Sequence, residues 1–156
     1  MTDRIDKQRQ NSVAPLKDHA DLGDTDDRPD PVSILTGQNE HRVAELVPIR
    51  HGRMRVTPFT FFRGAAAIMA SDLARTPSSD LQVQLCGDAH LSNFGLFNGP
   101  DRRLVFDVND FDETTPGPFE WDLKRLAASV VIAARNNELT NKEARTATCA
   151  SVRRYR

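Results

Sequence analysis

The chain has 156 residues, enough for one domain with a buried core and too few for two comfortable ones. Its 21 Lys and Arg against 22 Asp and Glu leave a formal net charge of −1, so no global field draws it to nucleic acid or to a membrane surface. No apolar run approaches the roughly 20 residues of a membrane span. The N-terminus is polar from the second residue, so no secretory signal is expected. Cys86 and Cys149 have no motif spacing, which predicts reduced thiols in a cytoplasmic protein.

Residues 1–29 are rich in Asp, Gln, Asn and Arg and poor in large apolar groups, which predicts a disordered tail ahead of a folded part over 30–156. Asp30-Pro31 reads as an N-cap followed by Pro at the first helical position. Short helical pieces are expected over 31–37 and 39–46, the second ending before Pro48, with Arg50, Arg53 and Arg55 in a polar connector. Pro58 opens a helix expected over 59–75, where Phe62, Ala66, Met69 and Leu73 fall on one face. Gln82 to Cys86 and Arg103 to Val108 read as strands. Between them, Phe94 to Phe97 and the Asn98-Gly99 turn suggest a hairpin.

Leu123, Leu126, Ala127, Val130, Val131 and Ala134 then recur at helical spacing, predicting a helix over 121–136. Thr140 with Glu143 makes a capping box for a last helix. That helix meets no Gly or Pro before Arg156, which predicts a chain that stops inside a larger domain. Charge comes in blocks: residues 42–63 carry five Arg against Glu45 alone, and 101–122 carry seven acids against Arg102 and Arg103. Such blocks read as solvated faces.

The stretch from Leu85 to Leu123 holds Asp88, His90, Asn93, Asp107, Asp110, Asp112 and Asp122, several of them beside short apolar runs. Asp88 and Asn93 follow one expected strand and Asp110 follows another. With those strand ends side by side, carboxylate and amide oxygens converge on one point, as a hard cation such as Mg²⁺ requires. Phosphoryl transfer uses a set of this kind, because positioning and charge neutralisation supply most of its catalysis.

Cys86-Gly87-Asp88-Ala89-His90-Leu91-Ser92-Asn93 resembles the HGDxHxxN catalytic loop of aminoglycoside and choline phosphotransferases, relatives of protein kinases. Asp110-Phe111-Asp112-Glu113, then Gly117-Pro118 and Trp121-Asp122-Leu123, resembles their IDFDD…GP…YDLA metal-binding segment. The resemblance implies an α+β fold equivalent to part of a kinase-like C-lobe. It makes Asp88 the catalytic base, Asn93 and Asp110 metal ligands, Asp112 a helper for a second ion, and Asp122 the brace of the catalytic loop. It also implies Mg²⁺ and ATP as cofactors and a small-molecule hydroxyl as acceptor. The run from Arg50 to Arg156 further resembles the bacterial family catalogued as domain of unknown function 2252, through LVPIRHGRM, FTFFRGAAAIMASDLA, LCGDAHLSNFG and FDVNDFDETTPGPFEWDLKRLAAS.

The pattern departs from kinase-like enzymes in two places. Cys86 stands where they usually have His. Upstream of Asp88 there is no GxGxxG, and the only lysines are Lys7 and Lys17. Either an arginine replaces the phosphate-binding lysine, or the nucleotide lobe lies elsewhere, or nothing is phosphorylated. Arg63 is the candidate phosphate contact, since guanidinium pairs bidentately with phosphate, and an Arg on a helix rim is the plainer alternative. His90 is a secondary candidate whose plainer role is packing or hydrogen bonding. Two other readings stay open. Gly87-Asp88-Ala89-His90 also fits the GDxH of metallophosphoesterases, and a non-catalytic pseudokinase-like module would bind nucleotide or a partner without turnover.

Overall fold

The computed structural model describes residues 14–24, 26–79 and 81–155 as a mixed α+β chain with two small antiparallel sheets. Of the tail expected over 1–29, residues 1–13 lie outside the described residues. From residue 14 onward the N-terminal stretch runs beside a later helix through a short 3₁₀ turn at Asp18–Ala20. Arg28 Nε lies 2.7 Å from Asp72 Oδ1, and Arg75 donates to the Asp24 carbonyl at 3.0 Å.

Helix α1 spans Pro31–Asn39 behind Asp30, whose carboxylate accepts from the Val32 and Ser33 amides. The expected second piece over 39–46 reduces to a 3₁₀ turn at Ala44–Leu46, and α2 runs through Val47–Met54 with Pro48 in its first turn. Proline there opens a helix instead of closing one, because the first turn has no use for its missing N–H. Arg50 and Arg53 therefore sit on a helix and not in a connector.

Thr57 and Thr60 cap each other to start α3, Pro58–Arg63, and α4 follows at Ala66–Leu73. The single helix expected over 59–75 is broken at Gly64–Ala65. A Cβ on Gly64 would lie 2.6 Å from the Met54 sulfur, so glycine there lets α2 press against the junction. Leu35, Met54, Ala65 and Ile68 form the apolar cluster at this crossing.

Strand β1, Gln82–Leu85, pairs with β4, Thr115–Pro118, while β2, Phe94–Asn98, pairs with β3, Leu104–Val108. The hairpin is as expected, closed by Gly99 N–H to Arg103 C=O at 2.8 Å. The strands after which Asp88 and Asp110 stand belong to different sheets. Thr115-Pro116-Gly117-Pro118 reads as a loop in sequence, yet a two-stranded ladder has edges on both sides and tolerates proline. Gly117 lets Leu85 lie across it, its Cδ1 2.5 Å from where a Cβ would stand. Helix α5, Glu120–Asn136, and α6, Asn141–Tyr155, complete the fold and pack on each other. Thr140 N–H donates to the Glu143 carboxylate at 2.8 Å and Glu143 N–H to Thr140 Oγ1 at 3.3 Å, the expected capping box. No helix of the described residues is long and apolar enough to cross a membrane.

Candidate functional site

Helix α5 carries a polar stripe opposite to its apolar one. Asp122, Arg125 and Ser129 are spaced three and then four residues apart, so they share a side of the helix. Each takes hold of the loop that follows β1. Asp122 Oδ2 accepts from Cys86 N–H at 2.7 Å and Oδ1 from Gly87 N–H at 3.1 Å. Arg125, 3% exposed, donates through Nε to Asp88 Oδ1 at 2.7 Å, with Nη2 on the same oxygen. Its Nη2 also reaches the Phe62 carbonyl at 3.0 Å, and its guanidinium stacks 4.4 Å from the centre of the Phe62 ring. Ser129, fully buried, accepts from Leu91 N–H at 3.1 Å and donates to the Leu126 carbonyl at 2.7 Å. Gly87 turns the loop with φ of 83°, and a Cβ there would collide with the Glu113 carbonyl oxygen.

Asn93, 4% exposed, joins this loop to the chain after β3. Its Nδ2 donates to the Asp88 carbonyl at 3.2 Å and to the Asp110 carbonyl at 3.0 Å, with Cys86 Sγ at 3.4 Å. Two carbonyl acceptors require the NH₂ group on that side, which leaves Oδ1 as the amide's unspent acceptor. Asn109 N–H closes the junction on the Asn93 carbonyl at 3.2 Å. Cys86 Sγ lies 3.6 Å from the Asp110 carbonyl, and burial, helped by the nearby carboxylates, pushes its thiol up. The cysteine is thus a neutral packing donor at the start of the loop.

The structure brings Asp88, His90, Asn93, Asp110 and Arg63 to one cavity of about 720 Å³. His90 is buried, with Nε2 3.5 Å from Asp88 Oδ2 and Nδ1 without a partner. Asp112 stands apart: it is exposed, does not line the cavity, and donates its N–H to Asp110 Oδ1 at 3.3 Å. Glu113 stands close enough to Asp88, Asp110 and Asp112 that burial first and their charges second raise its carboxyl. Among the described residues, no group of three or more His, Cys, Asp or Glu is arranged to hold a metal ion. A magnesium ion fits this donor set only as it is usually held, by one carboxylate or two with phosphate oxygens and water completing the shell.

Sequence reasoning missed Arg125 and Ser129, because a charged residue and a serine in an amphipathic helix read as solvent-facing. Their spacing from Asp122 was the available signal, since a residue bracing a loop implies that its helical neighbours at i+3 and i+7 face the same loop. It singled out Arg63 and missed the arginines that stand with it. Arg42, Arg50 and Arg53, which read as part of a solvated block, line the cavity together with Arg63.

A mixed α+β chain that gathers two aspartates, two asparagines and four arginines around one cavity is the class the fold and site define. The chain belongs to the family described as uncharacterized protein conserved in bacteria (DUF2252), whose model matches residues 42–156. Neither a curated protein nor a solved structure matches it. The matched span contains the whole cavity lining.

Proposed function

We propose that this chain carries the catalytic-loop part of a phosphotransferase that uses Mg²⁺ and ATP to modify a small-molecule hydroxyl. The observation that supports this best is the shared cavity: Asp88, Asn93 and Asp110 line it together, on loops tied to each other by the Asn93 amide. In this reading Asp88 orients or deprotonates the acceptor hydroxyl through Oδ2, while Arg125, itself held by Phe62, fixes Oδ1. Asn93 Oδ1 and the Asp110 carboxylate are the groups that would hold the metal, with Asp112 behind them. Bound Mg²⁺ would supply charge neutralisation on the phosphates. Asp122 keeps the loop in register through two backbone N–H groups. Arg63 faces the same space as a phosphate contact.

A second reading is a module that binds nucleotide without turnover. The grip of a buried arginine on Asp88 favours it, since one carboxylate oxygen is already spent on structure. A di-metal phosphoesterase centre finds less support, because the described residues offer no cluster of three or more carboxylate, His or Cys ligands.

Thermal shift with Mg·ATP, followed by product analysis, separates these readings. Asp110→Asn is expected to abolish Mg-dependent ATP binding, and Asp88→Asn to spare binding and remove turnover. Unchanged Mg·ATP affinity in Asp110→Asn would overturn the metal role. Binding without phosphorylated product in the parent protein would favour the module, and Mn²⁺-dependent ester hydrolysis would favour the phosphoesterase.

A further inference from the structure

The helical wall of the cavity, opposite the aspartates, has chemistry of its own. Arg50 and Arg53 project from α2 three residues apart, Arg63 ends α3, and Arg42 precedes the 3₁₀ turn. All four line the cavity against Asp88 and Asp110, and Asp88 is already gripped by Arg125. None of the four lies within ion-pair distance of a carboxylate among the described residues.

Arg50 is the most constrained of them. Its Nη2 donates to the Gly64 carbonyl at 2.6 Å, while Nη1 lies buried without a partner. Burial first, and the neighbouring Arg42 charge second, pull its pKa down, against the smaller opposing pull of the Glu113 carboxylate. An unsatisfied guanidinium nitrogen beside like charge is unfavourable unless an anion arrives to meet it.

We propose that Arg42, Arg50, Arg53 and Arg63 form a binding site for a linked row of phosphate groups, and that they hold it without a metal ion. The planar fork of arginine matches phosphate oxygens bidentately, and several forks on one wall suit several linked phosphates better than a single carboxylate. Helical backbone and the Gly64 contact hold the wall in place before the ligand arrives, which lowers the ordering cost of binding. This deepens the phosphotransferase reading and takes its biological meaning from it: these arginines do the work that a strand lysine and a Gly-rich loop do elsewhere. The upstream sequence offers neither of those.

The probe is inorganic tripolyphosphate, titrated calorimetrically into the protein in EDTA at low and at physiological salt. The parent protein is expected to bind it, more weakly as salt rises. Arg42→Gln and Arg53→Gln remove exposed side chains without internal hydrogen bonds, and each is expected to weaken binding about tenfold or more. Arg55→Gln, exposed beside the wall but outside the cavity, is expected to change affinity by less than about twofold. Asp110→Asn is expected to retain binding or tighten it.

Absence of tripolyphosphate binding by the parent protein would overturn the proposal. So would a loss in Arg55→Gln equal to that in Arg53→Gln, which would mean diffuse attraction and no built site. EDTA removes the metal and tripolyphosphate offers no hydroxyl, so failure here leaves the Asp88 and Asp110 assignments to be judged by Mg·ATP binding and product formation. Failure of those assignments leaves this result standing.

Discussion

Two neighbouring regions of this chain are held in opposite ways. The loop from Cys86 to Asn93 is short and irregular, yet Cys86, Ala89, His90 and Asn93 are buried and its backbone is gripped at several points by one face of α5. The β2–β3 hairpin that follows it is regular and fully paired, yet Leu96, Leu104 and Phe106 are 66%, 72% and 67% exposed. Regular hydrogen bonding alone does not anchor a two-stranded ribbon. The irregular loop is fixed because a helix supplies a carboxylate, a guanidinium and a hydroxyl to meet its polar groups. Of these two regions, the one held by side chains from elsewhere in the fold is the one where the candidate chemistry sits.

Substitutions in the two regions break or sharpen that contrast. Arg125→Met is the largest, since it leaves Asp88 without its buried partner; it is expected to cost about 3 kcal/mol, or roughly 6–12 °C in Tm. Thermal melts check this, and a loss under about 1 kcal/mol would mean that the grip on Asp88 is not structural. Gly87→Ala comes next at about 2–3 kcal/mol, because it combines a left-handed φ with a collision against the Glu113 carbonyl. Denaturant unfolding measures it, and the midpoint is expected to shift with little change in slope. Phe106→Thr in the hairpin is the smallest, expected within about 0.5 kcal/mol of the parent protein despite deleting a large apolar side chain. A large loss there would show that the hairpin face is covered and would erase the contrast.

What is legible in the sequence follows the same division. The loop motif is contiguous, so Asp88, Asn93 and the Asp110 segment stand out by spacing, and helix α5 stands out by its apolar period. The partners of the loop are not legible in that way. Arg125 and Ser129 lie among residues that alternate with leucines and alanines, so the apolar period of α5 masks the polar stripe that begins at Asp122. Strand β4 is hidden because two prolines argue against a ladder, although a two-stranded edge does not need their missing N–H groups. Apart from Arg63, the arginine wall is hidden because α2 begins at Val47-Pro48, where a proline reads equally well as the end of the preceding segment. Once that helix exists, Arg50 and Arg53 cease to be a solvated run and become one side of a cavity.

On the proposed function, the loop after β1 and the chain after β3 meet to offer one cation-and-phosphate site at Asn93 and Asp110. The most direct measurement replaces Mg²⁺ with paramagnetic Mn²⁺ in the presence of ATP and follows amide resonances in the ¹H–¹⁵N spectrum. Broadening centred on Ser92–Phe94 and Asn109–Asp112, lost in Asp110→Asn and absent from α6, is the predicted result. Broadening centred instead on the acidic stretch before Pro31, with the Asn93 and Asp110 amides unaffected, would contradict it.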